Sequence, residues 1–210
     1  MPLRVALLSA NPSTANPYIG LLQHGLATAG AQVTLCAEPG PAGLPEAARA
    51  ADVVHLHWLE LWGRQPYRSL VGLSRLGKPG RGLRRLLEPA LNSPARFASR
   101  RRRFLNRFLA ALAAYKAAGG HVVYTVHNLG QHEGEAGEVE ADGLRRLLAL
   151  ADAVHVHGAS MAAAVQALLP PRPEGLETDA QSGARGIRPS GATGPNPSGL
   201  RVAIIPHGHY

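Results

Sequence analysis

Directly after the apolar run 122–126, four groups able to do chemistry fall within seven residues: His127, Asn128, His132 and Glu133. Imidazole titrates near neutrality, so His127 at a strand end can serve as an acid, a base or a contact to a phosphate or hydroxyl. The bland alternative is a turn, in which Asn is common and a histidine merely caps the strand. The density of polar groups favours function. Three further pairs repeat one pattern: His55 and His57, His155 and His157, His207 and His209. Residues two apart in a strand share a face, so each pair either chelates a metal or is packed and hydrogen-bonded at a strand end. A metal site also needs a third ligand and supporting partners. No HExxH or cysteine-pair spacing accompanies the pairs, and no resident metal is expected. Trp58, Glu60 and Trp62 stand just past His57. They either form an aromatic platform with a carboxylate, suited to the C–H faces and hydroxyls of a sugar, or cover the edge of a sheet.

These groups need strands that end together. Residues 3–8 read as a first strand, followed by two Asn-Pro pairs that delay regular structure until Pro17, a residue suited to the first turn of a helix. Ile19, Leu21, Leu22 and Leu26 give that helix an apolar face ending near Gly30. A second strand spans 32–37, a short Ala-rich helix follows, and 52–57 is a third strand, the βαβαβ order of a doubly wound sheet. The segment 63–94 has no clear pattern. From 99 to 118 the spacing of Phe104, Leu105, Phe108, Leu109, Leu112 and Tyr115 predicts a helix, with Arg100, Arg101, Arg102 and Arg103 at its start, the unfavourable end for positive charge. The run 122–126 is a fourth strand, 139–150 a helix, 152–157 a fifth strand, 160–169 a helix and 200–205 a sixth strand. Residues 170–199 hold six Pro and six Gly in 30 positions and are expected to be disordered. In a parallel sheet the polar tails emerge at the carboxyl edge, where such folds place ligands.

Composition narrows the rest. A chain of 210 residues with 45% hydrophobic content can bury a real core. Its single cysteine, Cys36, rules out an internal disulfide and agrees with a reducing, cytoplasmic compartment. The first residues are too short an apolar stretch for a secretory leader, and no uncharged apolar run is long enough to span a bilayer. The net charge of +8 is uneven: residues 64–116 carry 14 Lys or Arg against one acid, Glu88, a local +13 that leaves −5 on the remainder. This block can sit on an anionic membrane surface through Arg100, Arg101, Arg102 and Arg103, or its helix can simply cover the core. No nucleic-acid module is present, so no specific nucleic-acid partner is expected. The 11–20 loop is either a plain connector or an anion site at a helix start. It lacks GxGxxG and GxxxxGK[ST], and there is no GxSxG elbow.

Taken in order, NPYIGLLQHGL, DVVHLHW, VVYTVHNLGQHE, ADAVHVH and VAIIPHGHY resemble the N-terminal half of a GT-B glycosyltransferase of the glycosyltransferase-4-like group. The resemblance covers most of the chain except the basic insertion (63–118) and the 170–199 tract. It implies a single Rossmann-like half-domain, 1–169 plus 200–210, that holds the acceptor, a glycan or lipid-linked molecule. A C-terminal half, in cis or in trans, binds the nucleotide-sugar donor, and this half itself holds no cofactor. The absence of an Asp-x-Asp motif fits such metal-independent enzymes. The chain stops at the IPHG-type segment that leads into the donor half, so a truncated product, a fragment or one subunit of a split enzyme is expected, inactive alone.

On this resemblance His127 lies near the reacting centre, touching donor sugar or acceptor hydroxyl, with Asn128, His132 and Glu133 positioning the acceptor. His57, Trp58 and Glu60 line the same cleft. Asn16, Pro17 and Tyr18 come from the first loop, and His207, Gly208 and His209 from the last. Such a protein serves polysaccharide biosynthesis in the cytoplasm, free or peripheral on the inner face of the membrane. Two rivals remain open: a non-catalytic subunit that docks acceptor or membrane, and a His-rich metal-binding hydrolase.

Overall fold

The computed structural model describes residues 1–10, 17–40, 43–59, 62, 73, 75–91, 93–127, 137–169 and 200–205. Six strands form one parallel sheet: β1 (Arg4–Leu8), β2 (Gln32–Cys36), β3 (Val53–His57), β4 (His121–Thr125), β5 (Ala153–Val156) and β6 (Arg201–Ile204), in the order β2-β1-β3-β4-β5-β6. Every neighbouring pair is parallel. The order is that of a doubly wound α/β domain whose winding reverses between β1 and β3, the point outside which ligands lie in such sheets. The expected Rossmann-like architecture is therefore present.

The helices are α1 (Pro17–Thr28), α2 (Glu46–Arg49), α3 (Gly77–Leu91), α4 (Pro94–Ala117), α5 (Gly137–Leu150) and α6 (Ala159–Leu168). Strand alternation sorts side chains onto two unlike faces. Val54, Leu56, Val122, Tyr124, Val154 and Val156 join one buried cluster with Leu44 just before α2, Ala48 of α2, Leu105, Phe108 and Leu112 of α4, Leu144, Leu147 and Leu148 of α5, and Val165 of α6. Val5, Leu7, Tyr18 and Ile19 are buried apart from that cluster, on the other face, under α1. Right-handed crossovers explain the division: the connection from β1 back to β2 runs opposite to those leading to β4, β5 and β6. On the α1 face β3, β4 and β5 carry His55, His57, Val123, Thr125 and His155, and the histidines that follow the strands share that side.

Glycine ends two helices as the sequence suggests. Gly119 has φ +93, its N–H reaches Lys116 O at 2.9 Å and that of Gly120 reaches Tyr115 O at 3.1 Å, the paired bonds of a Schellman turn. Gly30, with φ +89, ends α1 the same way.

Two expectations change. Within 63–94, where the sequence showed no pattern, α3 forms; and α4 begins at Pro94, five residues before the expected start, with proline in the first turn where its missing N–H is harmless. The arginine run consequently lies beyond the first turn of α4, and the objection on dipole grounds falls away. Arg101 is also not a surface group. It is 3% exposed and forms a two-pronged ion pair with Glu140 of α5, Nε–Oε1 at 2.6 Å and Nη2–Oε2 at 2.9 Å. Two further hydrogens go to the carbonyls of Leu59, at 2.6 Å, and Trp62. Burial of a guanidinium is tolerable only with this degree of pairing, so Arg101 is unavailable to a membrane. Arg102 and Arg103 are exposed and Arg100 is half-buried. The 170–199 tract lies outside the described residues.

Candidate functional site

The two edges of the sheet differ in chemistry. At the amino edge acidic residues tie strands together: Asp52 binds the Arg4 guanidinium at 2.6 Å and its backbone N–H at 2.9 Å, and Asp152 accepts from Val122 N at 2.8 Å. At the carboxyl edge stand histidines. Register brings them together, because His57 lies beside Thr125 and Thr125 beside His155. Residues level across a parallel sheet point the same way, so three neighbouring strands aim His57, Thr125 and His155 into one space.

Three rings are linked nitrogen to nitrogen. His57 Nδ1 lies 3.2 Å from His127 Nε2, His127 Nδ1 lies 3.3 Å from His157 Nε2, and His157 Nδ1 lies 3.1 Å from the Ile205 carbonyl. Below them His55 Nε2 meets Thr125 Oγ1 at 2.8 Å, with its ring 4.4 Å from that of His57 and 5.2 Å from that of His155. Tyr18, from the first turn of α1, presents its ring edge-on to His57, His127 and His157 at 5.5 to 5.7 Å. Trp58 stacks on His127, 4.1 Å between centroids and 14° between planes. Its backbone is left-handed, φ +49, an uncommon state for a bulky residue. That turn reverses the chain straight after β3 and lays the indole over the imidazole. The carbonyls of Leu59 and Trp62 held by Arg101 fix the far side of the same turn.

Burial sets the charge state. The His57 imidazole is pushed down to about 3, first by burial and then by the neighbouring imidazoles. His55 is lowered well below the ordinary value for the same reasons, and His155 is lowered by burial and by His157. These rings are neutral at pH 7. Among the described residues His57 Nε2 and His155 Nδ1 are buried without a hydrogen-bond partner. Because His127 turns opposite nitrogens to His57 and His157, the three rings form a chain and do not point at a common centre. Among the described residues no group of three or more His, Cys, Asp or Glu side chains is arranged to hold a metal ion.

Of the residues singled out from the sequence, Tyr18, His57, Trp58 and His127 meet at this edge, and Pro17 is exposed at the start of α1. Asn16, Glu60, Asn128, His132, Glu133, His207, Gly208 and His209 lie outside the described residues. Trp62 does not share a platform with Trp58. It is fully buried against Phe108, 6.3 Å between rings, because the turn at Trp58 sends it back toward α4. In the pairs 55/57 and 155/157 the rings are packed together, His55 meets Thr125, and His57 and His157 each meet His127. His157 and Thr125 belong to the constellation although the sequence reading left them outside the site. Their signal was the shared period of two in 55/57, 125/127 and 155/157, which becomes informative only once the strands are level.

No curated protein and no solved structure matches the chain. A family profile described as "Glycosyl transferase 4-like domain" matches residues 13–176, more than three quarters of the sequence. That span runs from the loop before α1 through β5 and α6, and so includes Tyr18 and every histidine of the chain of rings. The protein belongs to the glycosyl transferase 4-like family, as an N-terminal domain of the GT-B glycosyltransferases.

Proposed function

We propose that this chain forms the acceptor wall of a nucleotide-sugar-dependent glycosyltransferase. The observation that carries this is Trp58, held in a left-handed turn and stacked on His127 beside the sheet's reversal point. An indole and an imidazole face to face offer an apolar surface for sugar C–H groups next to ring nitrogens for a hydroxyl. In transfer of a glycosyl group, the protein gains most by orienting the acceptor hydroxyl and by stabilising the departing phosphate. This domain supplies the first of these. His127 meets the acceptor hydroxyl, His57 and Tyr18 contact His127, and Asn16, Glu60, Asn128, His132, Glu133, His207, Gly208 and His209 are the further candidates for acceptor contacts. The second belongs to a donor-binding half, in cis or in trans, which carries the nucleotide-sugar. A glycan or lipid-linked molecule is the acceptor.

The test uses the Trp62→Phe variant, leaving Trp58 as sole indole reporter. Its fluorescence should respond saturably to one or more methyl glycosides of glucose, galactose, mannose or N-acetylglucosamine. The 210-residue chain alone should release no nucleotide from UDP-glucose. A flat response to every glycoside, or turnover by this chain alone, overturns the proposal.

A second partner is favoured by α3. Leu83 and Leu86 of α3, with Leu76 just before it, are among the most exposed large apolar side chains, at 45%, 76% and 66%, while Lys78, Arg81 and Arg85 lie on the opposite arc of the helix. A helix with exposed leucines on one side and cations on the other suits an anionic bilayer surface. No described helix is long and apolar enough to cross a membrane. In this reading α3, with Arg102 and Arg103 of α4, replaces the run Arg100, Arg101, Arg102 and Arg103 as the contact, and association is peripheral.

A further inference from the structure

The protons on the three linked imidazoles can be placed by starting from an atom whose role is fixed. A carbonyl oxygen only accepts, so His157 Nδ1, 3.1 Å from Ile205 O, carries a hydrogen. In a neutral imidazole the other nitrogen is then bare. With His157 in its neutral form, Nε2 accepts, and the hydrogen on that 3.3 Å link belongs to His127 Nδ1. By the same step His127 Nε2 is bare and accepts from His57 Nδ1 at 3.2 Å. His57 Nε2 is left with a lone pair and no hydrogen, and that atom is one of those buried without a partner. The opposite sense fails at its first link, where two acceptors would face each other. The orphaned nitrogen is thus where a run of hydrogen bonds anchored on β6 comes to an end.

We propose that His157 is a positioning residue that fixes His127 as the Nδ1–H tautomer and makes His127 Nε2 the basic nitrogen of the site. This rests on the reading of His127 as the group that meets an acceptor hydroxyl. At rest Nε2 accepts from the His57 N–H at 3.2 Å, a bond the His57 ring gives up when substrate binds. An incoming hydroxyl takes the place of that N–H by donating to Nε2, while Trp58 keeps the ring in plane and His157 keeps Nδ1 occupied. The arrangement resembles the logic of a base whose far nitrogen is held by a third group, with an imidazole and a backbone carbonyl in place of a carboxylate. Without an acceptor at Nδ1, the His127 ring is free to put its hydrogen on Nε2, which then repels any donor there.

The test is a long-range proton–nitrogen correlation spectrum of the 15N-labelled 210-residue chain at pH 7.5, with His127 assigned by its loss in His127→Ala. The expected pattern is a protonated Nδ1 and a bare Nε2. His157→Phe should abolish that preference. His157→Gln, whose side-chain oxygen can accept from Nδ1, should restore it, and glycoside binding should follow the tautomer in both variants. A wild-type ring protonated on Nε2 overturns the proposal even if the Phe variant fails to fold, as does an unchanged tautomer in a folded His157→Phe. Glycoside binding with the hydrogen on Nε2 refutes the relay and leaves the acceptor reading standing. The Nδ1–H form with no glycoside binding refutes the acceptor reading and leaves the tautomer assignment standing.

Discussion

Acidification from pH 7 to 5 should destabilise this domain. The perturbation is a drop from pH 7 to 5, and the relevant group is His57, fully buried, with its imidazole held at about 3 against 6.5 in an exposed ring. Above pH 6.5 both folded and unfolded chains hold this ring neutral, and stability is full. Between 6.5 and about 3 the unfolded chain binds one proton more than the folded one, so stability falls as pH falls. At 1.36 kcal/mol per unit, the 1.5 units between 6.5 and 5 cost about 2 kcal/mol from His57 alone. His55 and His155 are lowered too and act in the same direction. A loss of ~2 kcal/mol or more is a large part of the 5 to 15 kcal/mol typical of a domain. The Arg4–Asp52 pair does not confuse the window, since its carboxylate, lowered from 3.8 to about 2, titrates only below pH 4. Urea unfolding at pH 7, 6 and 5, followed by circular dichroism, measures the slope. His57→Phe should be less stable at pH 7 yet lose about one proton's worth of pH dependence. A stability that is level from pH 7 to 5, or a slope unchanged in His57→Phe, would refute the burial argument.

Other consequences follow from single contacts. Arg101→Met leaves Glu140 charged and buried and should cost ~3–5 kcal/mol in urea unfolding, whereas the double variant Arg101→Met/Glu140→Met should recover much of it. Gly43 and Gly119 both have positive φ, but a Cβ at Gly43 meets Arg107 O at 2.9 Å while one at Gly119 meets nothing within 4 Å. Gly119→Ala should therefore cost ~1 kcal/mol of conformational strain, and Gly43→Ala clearly more, read as the difference in unfolding midpoints. Leu83→Glu/Leu86→Glu and, separately, Arg81→Glu/Arg85→Glu should abolish co-sedimentation with phosphatidylglycerol-containing vesicles. Neutral phosphatidylcholine vesicles should not bind the unaltered chain, and retained binding by either variant would remove α3 from the contact.

The strands were legible as short apolar, β-branched runs: DVVHLH, HVVYTV and DAVHVH are too short for a typical helix, and each ends at or just before a histidine. Helix ends were legible where glycine follows, at Gly30 and Gly119. The start of α4 was not, because Pro94 to Ser99 carry little apolar periodicity. The histidine constellation was half visible. Each pair could be seen on its own strand, but the contact of His127 with both His57 and His157 depends on register between strands, which is a nonlocal property. Arg101 and Glu140 left a clue in sequence. Arg101 falls on the same helical stripe as Leu105, Phe108 and Leu112, and Glu140 on that of Leu144 and Leu147, so opposite charges stood on two apolar faces. The separation of Trp58 from Trp62 was illegible, since it follows from one residue adopting a left-handed backbone that its type does not favour.

Saturation-transfer difference NMR on the unaltered chain, with methyl glycosides as ligands, puts the sugar-handling role to the most direct trial. Protons on one C–H face of a bound glycoside should receive saturation, and the signal should vanish in Trp58→Ala and in His127→Ala while both variants keep the melting profile of a folded domain. Signals of equal strength in all three proteins, or none in any of them, would contradict the account.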